Sequence, residues 1–148
     1  MIVHNFNLDD SNFEKVRGNI STNRPAGWFA GKYYDGVNGR NENLTFDTEK
    51  YYPAVIESYD VINCEKDGKW FAYLSLNCNV MLDDGVWLLQ YQMPVITTNT
   101  SKLVRLYFML GFDIYQMQTL NFDDLIGCRL HVKIANNDTK KNHICDVA

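Results

Sequence analysis

Several things are missing from this 148-residue chain, and each absence narrows what it can be. Its four cysteines, Cys64, Cys78, Cys128 and Cys145, form no C-x-x-C pair, which removes the usual ribbon-type zinc sites and thioredoxin-like redox chemistry. No apolar run approaches the ~18 residues that a membrane-spanning helix needs, so no membrane partner is expected. No secretory signal opens the chain; the expectation is a reducing, cytoplasmic setting with free thiols. There is no excess of positive charge. Fourteen Lys and Arg face eighteen Asp and Glu, giving a net charge of -4. That excludes a uniformly basic nucleic-acid binder but leaves room for local basic strips. Neither G-x-x-x-x-G-K-[ST] nor G-x-S-x-G occurs, so phosphate-loop and nucleophile-elbow chemistry have no support.

What is present is a globular composition, 46% hydrophobic and unusually aromatic at 14%. The clearest stretch runs from Thr100 to Ile134. Leu103, Leu106, Tyr107 and Leu110 fall on one helical stripe. Thr100 or Ser101 can cap its first turn, and Gly111 can end it in the left-handed conformation. Further on, Cys128, Leu130, Val132 and Ile134 alternate with Arg129, His131 and Lys133, which predicts a strand with one dry and one basic face.

Residues 1–50 read as a loop-rich N-terminal arm, with five of the nine glycines. Trp28, Phe29, Tyr33, Tyr34 and Phe46 argue that the arm packs on the main domain, residues 51–148, with a hairpin around Asp35–Gly39. A first strand is predicted over Tyr52–Asn63, with a bulge near Ser58 where the alternation changes phase. Glu65–Gly68 is a turn. In the second strand, Lys69–Val80, the even positions Trp70 to Val80 form the dry face. Phe71, Tyr73, Ser75, Asn77 and Asn79 point the other way. Asp83–Gly85 turns the chain into a third strand, Val86–Met93. Phe122–Gly127 leads into the fourth strand. Asn136–Lys141 reads as a polar turn before a short last strand, Asn142–Val147.

Strands one to three form a meander, and one helix precedes strands four and five. This is the element order of an OB-like, five-stranded Greek-key barrel. A β-sandwich wants about seven strands and no helix.

From Tyr52 onward the chain resembles a family of small phage and prophage proteins regarded as single-stranded-DNA-binding. The matching pieces are Tyr52-Pro-Ala-Val-Ile56, then Gly68 with Trp70-Phe-Ala-Tyr-Leu-Ser-Leu76. Lys102 to Gly111 looks like that family's helix, and Asp124-Leu-Ile-Gly-Cys-Arg-Leu-His-Val-Lys-Ile134 like its acidic-Leu-Ile-Gly approach to a strand. The resemblance covers about two thirds of the chain and implies a role beside phage replication or recombination proteins in a bacterial host. The longer arm and the acidic balance depart from it.

OB-folds lay oligonucleotides across strands two and three, between the loops that join strands one–two and four–five. Phe71 and Tyr73 are the candidate stacking rings. Lys66 and Lys69 border the first loop, Lys140 and Lys141 the second, and Arg129 and Lys133 project from strand four, all as candidate phosphate contacts. Lys102 and Arg105 read as the solvated helix face.

Other chemistry fares worse. Cys128 and His131 are three apart on one strand and face opposite sides, so they and His143 and Cys145 make a poor metal set. The Asp9-Asp10, Asp83-Asp84 and Asp123-Asp124 pairs sit in turns, where Asp caps backbone donors. The expectation is therefore a non-enzymatic binder of single-stranded DNA without metal or cofactor, its oligomeric state open to a homo-oligomer. The alternatives are an OB-like protein-interaction module and, more remotely, a carbohydrate-binding β-domain.

Overall fold

A computed structural model describes residues 7–8, 32–39, 41–114, 116, 119–137 and 140–148. Trp28 and Phe29, Asp9 and Asp10 lie outside the described residues. The chain is mainly β. In order come β1 (Asn7–Leu8), β2 (Tyr33–Asp35), β3 (Tyr51–Lys66), β4 (Lys69–Leu82) and β5 (Gly85–Pro94). Helix α1 (Lys102–Met109), β6 (Thr119–Leu120) and a short 3-10 turn (Phe122–Leu125) follow, then β7 (Arg129–Asn137) and β8 (Lys140–Val147). β1 and β6 form a small parallel pair. The other six strands make one open sheet in the order β2-β5-β4-β3-β7-β8. The expected five strands become six because β2, from the arm, joins the edge of β5 in parallel.

β3 is long enough to serve two partners. It pairs with β4 along most of its length and with β7 over Tyr51–Val55. The bulge expected near Ser58 is present, as a register shift between Ile56 and Ser58. It places Ala54 and Ile56 on the same face as Tyr59, so the core face survives the change of phase. Gly127 donates to the Ile56 carbonyl at 2.7 Å, and Ile56 donates to the Cys128 carbonyl at 3.0 Å. This is how the Leu-Ile-Gly stretch delivers the chain into β7.

The helix forms where the periodicity placed it. Ser101 Oγ accepts from the Val104 N–H at 3.2 Å, filling one of the orphan donors of the first turn. At the other end Gly111, with φ 92°, donates to the Phe108 carbonyl, and Phe112 donates to Tyr107. That pair of bonds is a Schellman ending. Leu103, Val104, Leu106 and Tyr107 are buried. Each contributes about 1.5–3 kcal/mol relative to an exposed position. The Tyr107 hydroxyl stays satisfied by donating to the Asn121 carbonyl at 2.7 Å.

The arm is tied to both sides of the sheet. Val86 donates to the Lys32 carbonyl at 2.8 Å, Gly36 donates to the Leu88 carbonyl at 2.9 Å, and Tyr34 stacks on Trp87 with centroids 4.5 Å apart. Asn41 then reaches β8. Its Nδ2 donates to the carbonyls of Gly36 and Asn142, both at 2.9 Å, and its Oδ1 accepts from the Asn142 N–H at 3.1 Å. The Asn142 side chain donates back to the Asn41 carbonyl at 2.7 Å. The hairpin expected at Asp35–Gly39 is instead a turn held by the Asp35 carboxylate, which accepts from the Val37 and Asn38 N–H groups. No strand of the described residues returns from it.

Gly85 has φ 145°, and a methyl there would overlap the Lys32 carbonyl oxygen. The backbone of the arm passes where a side chain would stand. Gly85→Ala is expected to destabilise the fold by about 1–3 kcal/mol, read as a lower urea midpoint at unchanged m-value.

Candidate nucleic-acid interface

Strand lengths build the site. β3 has 16 residues and β4 has 14, whereas β5 has 10 and β7 has 9. The ladder between β4 and β5 ends at Tyr73 and Pro94. Beyond it the β3–β4 hairpin continues as a two-stranded ribbon closed by Asp67-Gly68, both with positive φ, a two-residue turn that matches strand twist. Residues 63–71 are exposed throughout.

Register assigns the ribbon's two faces. Ile62 lies opposite Tyr73, Cys64 opposite Phe71 and Lys66 opposite Lys69. These six share the outer face, with Pro94 beside Tyr73. Phe71 is 45% exposed and Tyr73 37%. Two strand positions apart, they are spaced by roughly 7 Å. The opposite face carries Glu65 against Trp70 and Asn63 against Ala72.

Two expectations for β4 need correction. Trp70, assigned to the dry face, is 71% exposed, because no strand or helix covers that side of the ribbon among the described residues. Ser75, Asn77 and Asn79, expected to be wet, are buried. The inner half of β4 is covered on both faces, so position along the strand decides exposure and parity does not. Buried polar groups need partners. Asn77 has them in Ser58 at 3.1 Å and Gln90 at 3.2 Å. The Asn79 amide and the Ser75 hydroxyl have none among the described residues.

A cleft of about 490 Å³ lies where β5 and β8 approach without pairing. Gln90 and Gln92 of β5, Lys102 of α1, and Lys141, His143 and Cys145 of β8 line it, and the arm contributes Gly36 and Val37. The Lys102 ammonium lies 5.2 Å from the centre of the Tyr91 ring. Burial, and then the Asp146 carboxylate, push the Tyr91 hydroxyl up to about 12, so it stays a neutral donor.

The candidate phosphate contacts separate. Lys66 and Lys69 sit at the ribbon tip, beside the rings. Arg129 is exposed but lies in the row of Val55 and Asn79. That is six residues along β4 from Tyr73, about 20 Å. Lys133 faces Asp146 in the β7–β8 register, and its ammonium lies 5.4 Å from the centre of the Tyr51 ring. Tyr51 donates to Asp146 at 2.6 Å, which holds that carboxyl below its usual range. Lys133 is thus part of a local charge cluster. Lys140 and Lys141 are not in a loop: the expected polar turn is replaced by two longer strands, with Asn137 paired to Lys140. The Lys141 ammonium donates to the Val37 and Gly39 carbonyls and anchors the arm. Lys102, read from sequence as solvated, is exposed and also lines the cleft. Its position one residue after a helix cap was visible, but the strand opposite was not.

Among the described residues no group of three or more His, Cys, Asp and Glu side chains is placed to hold a metal. No helix among them is long and apolar enough to cross a membrane. Comparison with family models, curated proteins and solved structures found no match to this chain.

Proposed function

We propose that this protein binds single-stranded DNA with little sequence preference, in phage or prophage replication or recombination, on an OB-like barrel. The barrel reading is supported by a first core strand, β3, that pairs with both the second and the fourth, and by the helix between the third and fourth. The observation that carries the function is the ribbon's outer face, where Phe71 and Tyr73 stand in a row with Lys66 and Lys69 at its tip. Rings stack on any base, and lysines neutralise phosphates, so the combination tolerates sequence. The strand runs from the tip past Pro94 and Gln92 toward the cleft at Gln90. Lys69 to Asn77, the partner of Gln90, is eight residues, roughly 26 Å. A site at the short end of the usual range, about four nucleotides, fits that length.

Titration of labelled oligo-dT at several salt concentrations tests the reading. Two to four phosphate contacts give a log–log salt slope of roughly -1.4 to -2.8. Lys66→Ala with Lys69→Ala is expected to flatten that slope by about 1.4. No binding at low salt refutes the reading.

A second reading, a protein-interaction module on the same barrel, is favoured by Lys141, whose ammonium is already engaged by the arm, and by the net charge of -4. It predicts no salt-dependent affinity for DNA.

A further inference from the structure

We infer that the β3–β4 ribbon is a two-faced wedge that seats at the junction between single-stranded and double-stranded DNA, with the Trp70 indole capping the last base pair. This rests on the single-strand reading and extends it from a substrate to a substrate shape. Among the described residues Trp70 is the most exposed of the large apolar side chains, at 71%. Its register partner is Glu65, whereas Phe71 and Tyr73 belong to the other face, with Cys64 and Ile62. Neighbouring strand residues project to opposite sides. A single strand lying on the Phe71–Tyr73 face therefore leaves the indole untouched.

The charges of the two faces differ in the same sense. Lys66 and Lys69 lie on the face of the paired rings and Glu65 lies beside Trp70. A carboxylate next to the indole repels a phosphate backbone. It does not repel the flat, uncharged surface of a terminal base pair, whose phosphates lie at the rim. Stacking on that surface is open to any base pair, as ring stacking is for single bases.

The shape suits the place. Among the described residues no third strand pairs with the hairpin beyond Tyr73 and Pro94, and β7 pairs with β3 only over Tyr51–Val55. Two strands are about 10 Å across with their backbones. Such a ribbon divides two nucleic-acid strands: one follows the lysine face, and the duplex it leaves ends against the indole.

The test uses three labelled probes: oligo-dT, a blunt duplex, and a fork whose unpaired oligo-dT tails match the first probe in length. The full chain is expected to bind the fork about tenfold more tightly than oligo-dT. A 2-aminopurine at the junction pair should change in fluorescence on binding. Trp70→Ala should abolish both the preference and the fluorescence change while leaving oligo-dT affinity within about twofold, and Trp70→Phe should keep part of the preference. Because the ring is exposed, the variant should fold, which circular dichroism checks. A preference that persists in Trp70→Ala overturns the wedge, as does a wild-type protein that binds oligo-dT and fork equally. Failure of oligo-dT to bind at all overturns the single-strand reading and the wedge with it.

Discussion

Asn41→Ala is expected to remove about 3–5 kcal/mol of stability. Asn41 is 1% exposed, and its side chain fills two carbonyl acceptors and one N–H donor at the meeting of the arm with β8. Alanine leaves the Gly36 and Asn142 carbonyls and the Asn142 N–H without their partner in a buried place. Each orphaned group costs about 1–3 kcal/mol, and relaxation recovers part of the sum. Against a total stability of about 5–15 kcal/mol this is a large loss. It would appear as a lower urea midpoint, with the Trp87 emission shifting as Tyr34 separates from it. Asn41→Asp is the informative companion. It keeps the acceptor for the Asn142 N–H but sets a carboxylate against two carbonyls, so it should be at least as damaging. A midpoint within experimental error of the wild type would mean that the arm contributes little to the fold.

Phe71→Ala and Tyr73→Ala should each weaken oligo-dT binding by roughly 5- to 150-fold, the equivalent of about 1–3 kcal/mol of stacking. Losses of that size exceed what one surface lysine supplies, so the rings should dominate affinity and the lysines its salt dependence. Both rings are largely outside the core, and the same substitutions should change stability by no more than about 0.5 kcal/mol. Phe108→Ala is the control, because Phe108 is 65% exposed and belongs to helix α1, not to the ribbon. If Phe108→Ala weakens binding as much as Phe71→Ala does, the site has been placed on the wrong surface.

Much of the fold was legible along the chain because the signals were local. The stripe from Leu103 to Leu110, the cap at Ser101 and the glycine at 111 each depend on residues within a turn of one another. The phase change at Ser58 was visible for the same reason. What could not be read was coverage. Alternation says which side Trp70 takes, but only the lengths of neighbouring strands say whether anything lies over it. Polar letters misled in both directions. Asn77 and Asn79 suggested water and are buried. The run from Asn136 to Lys141 suggested a turn, yet the β7–β8 ladder carries through Asn137 and Lys140. The Asn41–Asn142 contact spans 101 positions and leaves no trace in either neighbourhood.

The three residues of β2 do more than add a strand. They shield the flank of β5 at Val86–Leu88, where unsatisfied backbone groups would sit beside apolar side chains. A bare flank of that kind recruits strands from other molecules. The arm covers that flank, and a shortened form starting at Tyr51 is expected to expose it and to be less soluble.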